Sequence, residues 1–326
     1  MASLYEAISK ISSESLYSSS QRDITKKLLK NYIQSFDEYG DYFTRAEYQA
    51  FQNSLLAEYA GVGMLLYQQK GSDNILCLPL KSHMRESDID QYDQLISVDG
   101  NPVIGNNFYL VSSWIKGKVG SKVMLRVRKP SGEEKKVVLE RKAHNFNSVQ
   151  RMRENGMVIL RIIHFTKETP AELHRALRQW PKQIPIVIDL RGNGGGDFYA
   201  AIQAVDLLLP EGSHIAAIET KKERLDYNAA NPDFVRGQQV ILIQDKYTAS
   251  AAEIFIAALV QNNRAMSTGK KSYGKGVVQK FISLSKGDAL LLTYGKIITP
   301  NGESFDKTGL RPSSDLPLLS LLNLKK

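Results

Sequence analysis

The second half of the chain alternates nearly continuous apolar runs with helical patterns. Residues 184–190 (Ile-Pro-Ile-Val-Ile-Asp-Leu) and 240–243 (Val-Ile-Leu-Ile) are short enough for strands and apolar enough to be buried on both faces. Eight residues after each run, at 198 and 251, apolar residues begin to recur at helical spacing. This alternation predicts an α/β fold with a mainly parallel sheet and with sites at the carboxyl ends of its strands.

Two other segments precede this α/β part, which we place at residues 146–326. Residues 1–60 are rich in polar residues, contain few glycines and carry apolar residues at helical spacing, which predicts a small N-terminal helical segment. Residues 61–145 contain short alternating patterns, including a hairpin at 122–141, and predict a β-rich module with one or two helices. A length of 326 residues is sufficient for three such parts.

Charge and cysteine content restrict the function classes only weakly. The net charge of +9 could suit an anionic partner, but the basic residues are scattered among acidic ones, so we predict a solvated basic surface and no nucleic-acid partner. The single cysteine, Cys77, permits neither an internal disulfide nor a multi-cysteine zinc site. No apolar stretch reaches the ~18 residues of a membrane span, which predicts no stable membrane insertion.

Two glycine-rich stretches resemble nucleotide-binding motifs, and both depart from them. In residues 192–197 (Gly-Asn-Gly-Gly-Gly-Asp) an aspartate replaces the third fingerprint glycine, which leaves either a tight turn or a nest of N–H groups for an oxyanion. Residues 269–276 match a phosphate-binding loop until Gly276, where a serine or threonine is required. A strand-like pattern follows that loop where a helix is required, which argues against an NTPase.

Ser250 lies between the apolar run at 240–243 and the following helical pattern. It can be the N-cap of that helix, with Glu253 completing a capping box, or a nucleophile beside the N–H of Ala251 at the positive helix end. A hydroxyl nucleophile needs a base. Lys275 is flanked by Gly274 and Gly276, which permit close backbone approach; it is either an ordinary loop lysine or that base.

A lysine acts as a base only when it is desolvated. An exposed lysine with a pKa of ~10.4 is neutral in about one molecule in 2,500 at pH 7, whereas burial can lower a lysine pKa to ~7–8.

Three ordered motifs resemble the carboxy-terminal processing peptidases, a family of serine peptidases with a Ser/Lys catalytic pair. They are residues 189–196 (Asp-Leu-Arg-Gly-Asn-Gly-Gly-Gly), 248–253 (Thr-Ala-Ser-Ala-Ala-Glu) and 274–279 (Gly-Lys-Gly-Val-Val-Gln). Ser250 and Lys275 are 25 residues apart, in agreement with the family pattern. Residues 61–145 also resemble a PDZ domain. The resemblance implies a crotonase/ClpP-like α/β peptidase core with an inserted or preceding PDZ domain.

The resemblance also implies roles for individual residues. Ser250 is the nucleophile, Lys275 the base and Gln279 the residue that orients Lys275. Ala251 and the Gly195-Gly196 turn form the oxyanion hole. In the PDZ-like module the implied peptide-binding residues are Gly61, Val62, Gly63 and Met64. The mechanism needs no metal and no cofactor.

The implied substrate is a protein or peptide with a free C-terminus, and a regulatory partner or an oligomer is compatible with the family. The expected location is extracytoplasmic, either periplasmic or secreted, with any signal peptide absent from the chain. Two other functions stay open: a non-catalytic scaffold that binds peptides through its PDZ domain, and a thioester-processing enzyme of crotonase-like architecture.

Overall fold

The structure is a computed structural model, and it describes residues 2–17, 20–54, 59–68, 72, 74–79, 89–143, 147–154, 157–318 and 320. The chain divides into two units. The first comprises Met1–His144 with Gln279–Thr293, and the second comprises Asn145–Val278 with Tyr294–Lys326. Within the described ranges, no helix combines the length and apolar character needed to cross a bilayer.

The first unit begins with helices and continues mainly as strands. Its elements are α1 (Ala2–Glu14), α2 (Gln21–Gln34), β1 (Asp41–Phe43), α3 (Arg45–Asn53), β2 (Tyr59–Ala60), β3 (Met64–Gln68), β4 (Ile75–Pro79), β5 (Gln94–Val98), β6 (Asn101–Pro102), α4 (Phe108–Ile115), β7 (Gly117–Lys118), β8 (Lys122–Arg128) and β9 (Glu134–Glu140).

An antiparallel sheet in the order β3-β4-β5-β8-β9 forms most of the first unit, with β6 paired to β5. In β8 buried and exposed residues alternate, and Val123, Leu125 and Val127 are at most 1% exposed. These residues pack with Val111 of α4 in one core cluster. The predicted hairpin is therefore confirmed, and its inward face is the apolar one.

The second unit has the alternation that the apolar runs predict. Its elements are β10 (Val149–Glu154), β11 (Met157–Ile162), α5 (Thr169–Arg178), β12 (Ile186–Asp189), α6 (Phe198–Asp206), β13 (His214–Thr220), β14 (Arg224–Asn228), β15 (Val240–Gln244), α7 (Ala251–Gln261) and β16 (Ala265–Gly269). Two further strands, β17 (Val277–Ser283) and β18 (Ala289–Ile298), have residues in both units.

A sheet in the order β10-β11-β12-β15-β16 is the centre of the second unit, and all its pairs except β10 with β11 are parallel. Every residue of β12 and β15 is buried, as expected for strands covered on both faces. Because β12 and β15 are parallel neighbours, α6 and α7 both begin at the same edge of the sheet. That edge is the predicted location of the site.

Phe255 of α7 is fully buried and lies 5.8 Å, between ring centroids, from the equally buried Phe165. We predict that Phe255→Ala lowers the free energy of unfolding by about 3–5 kcal/mol, because it removes transfer free energy and leaves a cavity. Phe255→Leu is the matched control and should cost about half as much. Urea unfolding followed by circular dichroism measures both changes, and equal small losses would contradict this view of the core.

Candidate active site

Ser250 lies in the turn that joins β15 to α7, immediately before the first residue of the helix. Its backbone has φ 55° and ψ −119°, a conformation that L-residues rarely adopt and that costs of order 1–3 kcal/mol. The side chain is half-buried. This backbone conformation belongs to neither the strand nor the helix. Ser250 is therefore a turn residue at the carboxyl end of the sheet.

Glu253 lies one turn into α7 and is fully buried. Its Oε2 accepts hydrogen bonds from the backbone N–H groups of Ser250 (2.8 Å) and Lys275 (2.9 Å). Its Oε1 accepts from the Ser272 hydroxyl (2.6 Å) and the Gly274 N–H (2.7 Å). Burial raises the pKa of the Glu253 carboxyl to about 7, although all four hydrogen bonds act to lower it. One carboxylate therefore joins the segments that carry Ser250 and Lys275.

The capping box predicted at Ser250 accounts for only one of these four hydrogen bonds. The capping box it predicted includes the bond from the Ser250 N–H to the Glu253 carboxylate, and that bond is present. The bonds to Ser272, Gly274 and Lys275 come from a segment about 20 residues further along the chain. The sequence shows a glutamate three residues after the candidate nucleophile. Its full burial, which would have indicated a larger role, cannot be predicted from the local pattern.

The glycines that flank Lys275 permit the close approach that the sequence predicts. A Cβ at Gly274 would lie 2.6 Å from the Gly309 nitrogen, and a Cβ at Gly276 would lie 2.5 Å from the Asp306 nitrogen. The Gly276 N–H also donates to Asp306 Oδ1 (3.1 Å). Lys275 is half-buried between them. The turn at 306–309 thus packs against both neighbours of Lys275 and restricts its backbone in addition to the Glu253 bonds.

The glycine turn after β12 lies directly against the nucleophile candidate. A Cβ at Gly195 would be 2.8 Å from Ser250 Cβ and 3.0 Å from the Ala251 nitrogen, and φ at Gly195 is 103°. A Cβ at Gly196 would be 2.1 Å from the Phe165 carbonyl oxygen. Both positions therefore require glycine. The structure brings Gly195, Gly196, Ser250 and Ala251 together.

Asn193 connects the glycine turn to the segment before α7. Its carbonyl oxygen accepts from the Ala249 N–H (2.9 Å), and its Oδ1 accepts from the Gly195 N–H (2.8 Å). Within the described part of the chain, the N–H groups of Gly196 and Ala251 have no such acceptor. Sequence reasoning did not single out Asn193, because its bonds depend on the folded turn.

Gln279 belongs to the first unit. Its Nε2 donates to the Tyr39 carbonyl oxygen (2.7 Å), and its Oε1 accepts from the Tyr109 hydroxyl (3.4 Å). The hydrogen bond to Lys275 that the resemblance implies stays a prediction.

The candidate peptide-binding loop lies at the start of β3. Gly61 pairs with Lys142, Val62 is buried in the core, Gly63 has φ 71° and Met64 is the first residue of β3. β3 is an edge strand of its sheet. Residues 69–71, 73, 80–88 and 144–146 of the PDZ-like segment lie outside the described residues. In the described ranges, no cluster of three His, Cys, Asp or Glu side chains could hold a metal ion.

Comparison with known proteins gives consistent matches. Residues 156–316 match the sequence model of peptidase family S41. The chain is 28% identical over 321 residues to the carboxy-terminal processing protease CtpA of Bacillus subtilis, covering 96% of this chain and 69% of that protein. It is 27% identical over 295 residues to a CtpA-like serine protease of Staphylococcus epidermidis, covering 88% of this chain and 60% of that protein.

A solved structure supports the fold. The photosystem II D1 C-terminal processing protease superposes with a TM-score of 0.74 at 22% identity, covering 97% of this chain and 87% of that chain. The chain therefore has a mixed α/β fold like that of the D1 protease.

Glu253→Gln tests the role of the buried carboxylate. An amide has one acceptor oxygen, so two of the four donors lose their acceptor and face an NH₂ group. We expect the free energy of unfolding to fall by about 2–6 kcal/mol, at about 1–3 kcal/mol for each of the two unsatisfied buried donors. Urea unfolding at pH 7 measures the loss. The exposed Glu303→Gln is the matched control and should change stability by less than about 0.5 kcal/mol.

The raised pKa of Glu253 determines the direction in which the stability of the protein changes with pH. The folded pKa of Glu253 lies above its ordinary value because of burial, so the folded state retains a proton that the unfolded chain has lost. The contribution of this residue to stability is complete below pH ~4.5 and declines as the pH rises through about 7. The difference in unfolding free energy between the wild type and Glu253→Gln should therefore shrink over that range. A difference that grows with pH would contradict the assignment.

Proposed function

The chain belongs to peptidase family S41, among the carboxy-terminal processing proteases, and is a serine-type peptidase; from this premise we propose that Ser250 and Lys275 cleave protein chains near their C-termini by an acyl-enzyme mechanism. Lys275 is the general base, and Ala251 and the glycine turn stabilise the oxyanion. The PDZ-like module of the first unit binds the substrate's free C-terminus.

The proposal is supported most directly by the acceptor atom that Ser250 and Lys275 share. The N–H groups of Ser250 and Lys275 both donate to Glu253 Oε2, at 2.8 and 2.9 Å, so their nitrogens lie within about 6 Å of each other. Two residues that are 25 positions apart in the sequence thus share one anchoring atom. An anchor of this kind supports a catalytic pair, because it fixes both backbones while leaving both side chains to react.

The first chemical step transfers a proton from the Ser250 hydroxyl to the neutral amine of Lys275. The Ser250 Oγ then attacks the substrate's carbonyl carbon, and the π electrons of the carbonyl move to its oxygen. The rare backbone conformation of Ser250 supports this role, since it presents the hydroxyl at the end of β15 and beside the start of α7.

The oxyanion needs hydrogen-bond donors that are in place before the reaction. The N–H groups of Ala251 and Gly196 suit this role, because Gly195 uses its own N–H to bind Asn193. Ala251 is the first residue of α7, so the positive end of the helix adds favourable electrostatics.

The protonated Lys275 next donates its proton to the leaving amine as the peptide bond breaks. Water then attacks the acyl-enzyme ester while Lys275 accepts a proton from it. Lys275 returns this proton to Ser250 Oγ as the ester C–O bond breaks, which releases the product and regenerates the hydroxyl and the neutral amine. No step of this sequence requires a metal or a cofactor.

Capture of the C-terminus rests on two features of the first unit. β3 is an edge strand and can accept a peptide as an additional strand, and the glycine-containing loop before it, residues 61–63, can receive a carboxylate. An extracytoplasmic location is part of the same proposal and follows from the resemblance to the family.

Substitution of the pair tests the mechanism. We expect Ser250→Ala and Lys275→Ala each to reduce cleavage of a peptide that ends in small apolar residues by at least about 10³-fold, because nucleophile and base act as a unit. Mass spectrometry detects the fragments. The exposed Lys271→Ala, in the same loop, is the matched control and should retain wild-type activity. Full activity in either pair variant would refute the mechanism, and a wild type that binds the peptide without cutting it would favour a scaffold.

The pH profile of kcat/KM should contain a limb that belongs to Glu253. Its pKa is raised to about 7 by burial, and its four donors require the ionised form, so activity should rise with pH through about 7. In Glu253→Gln this limb should vanish. An unchanged profile in Glu253→Gln would exclude Glu253 as the titrating group.

A further inference from the structure

An aromatic cluster lies at the start of α6 and consists of Phe198, Tyr199 and Tyr227. Its rings meet edge to face, with centroid distances of 5.1 Å for Phe198–Tyr227, 5.3 Å for Phe198–Tyr199 and 6.2 Å for Tyr199–Tyr227. Phe198 and Tyr227 pack against the core, whereas Tyr199 is 60% exposed. The cluster thus consists of two rings that pack against the core and one ring that is exposed.

The Tyr227 hydroxyl of the cluster is uncharged at ordinary pH. Burial and the neighbouring Tyr199 hydroxyl raise the pKa of Tyr227 to about 12, which keeps that phenol protonated. Leu225, two residues before Tyr227 on β14, lies on the same face of the strand and is 41% exposed. The surface that results is apolar and carries hydroxyl groups.

The cluster lies near the nucleophile. A Cβ at Gly195 would lie 2.8 Å from Ser250 Cβ, so the Cα atoms of Gly195 and Ser250 are at most about 6 Å apart. Tyr199 follows Gly195 by four residues, so its Cα is at most about 15 Å from that of Gly195 and about 21 Å from that of Ser250. α6 and α7 begin at the same sheet edge, which places Tyr199 and Ser250 on that edge together. An extended substrate advances about 3.3–3.6 Å per residue, so a chain held at Ser250 reaches the cluster within about six residues.

The exposed ring is also held in place. Asp197 accepts a hydrogen bond from the Ala200 N–H (2.8 Å) and caps α6, so the backbone of Tyr199 is fixed at the second helical position. The edge-to-face contacts with Phe198 and Tyr227 restrict the ring itself. A rigid aromatic side chain loses little conformational entropy when it binds a ligand, which favours recognition of apolar groups.

We propose that this aromatic cluster is a specificity subsite, which binds one bulky apolar side chain of the substrate, aromatic or long aliphatic, within about six residues of the scissile bond. This inference rests on the proposed function, because it takes Ser250 as the point of cleavage. The occupant is a side chain of the polypeptide substrate, and the continuity of the cluster with the glycine turn beside Ser250 argues for it.

Cleavage of a scanned peptide series tests the subsite. In each peptide of the series a sequence of small residues carries a single Leu or Phe, at one of the six positions on either side of the cleaved bond. At one position we expect the bulky residue to raise kcat/KM about tenfold over Ala in the wild type. Tyr199→Ala should abolish this preference, and Tyr199→Phe should retain it because the ring remains. Tyr17→Ala, a control at a tyrosine that is 92% exposed in the first unit, should leave it unchanged.

A binding measurement separates this inference from the proposed function. Fluorescence anisotropy gives the affinity of the same labelled peptides for Ser250→Ala and for Ser250→Ala with Tyr199→Ala. A bulky-residue preference that is lost with Tyr199 supports the subsite, even if the wild type cleaves nothing and the proposed function fails. A preference that persists without Tyr199, or no preference in either measurement, overturns the subsite while cleavage by the wild type leaves the proposed function intact.

Discussion

The arrangement of the site depends on the hydrogen bonds of one buried carboxylate. Glu253 accepts from the N–H groups of Ser250, Gly274 and Lys275 and from the Ser272 hydroxyl. Each bond alone contributes modestly to stability, but a buried donor left without an acceptor costs about 1–3 kcal/mol. The four donors therefore allow few alternative positions for the segment that carries Lys275. α7 supplies the rigid support, since every residue around Glu253 in that helix is buried.

Close backbone packing at four glycines restricts the position of the site segments further than the Glu253 hydrogen bonds do alone. Gly195 and Gly196 lie against Ser250 and Phe165, and Gly274 and Gly276 lie against the turn at 306–309, at distances where a Cβ would be 2.1 to 2.8 Å from its nearest neighbour. Such contacts hold backbones in register because any movement creates a clash on one side. One glycine pair thus restricts the backbone at the nucleophile, and the other restricts it at the lysine.

Much of the second unit could be predicted from the sequence because its signals are local. The apolar runs became β12 and β15, helices begin at 198 and 251, and a strand follows Gly276. The partners of Glu253 and Asn193 could not be predicted, because they depend on where distant segments meet after folding. The same holds for Gln279, whose sequence position next to the lysine motif gave no indication of its bonds to Tyr39 and Tyr109. Local pattern specifies elements, and tertiary contacts specify which polar groups meet.

The strained backbone of Ser250 is maintained by hydrogen bonds in the turn that carries it. A positive φ at a serine costs of order 1–3 kcal/mol and persists only when neighbouring contacts determine the turn more strongly than the strain opposes it. Here Thr248 donates to the Leu190 carbonyl oxygen, Ala249 donates to the Asn193 carbonyl oxygen, and Ser250 donates to Glu253. Two of these bonds tie the turn to the loop that follows β12, and the third ties it to the first turn of α7. The turn is therefore held by its neighbours, and no hydrogen bond among these three uses the hydroxyl of Ser250.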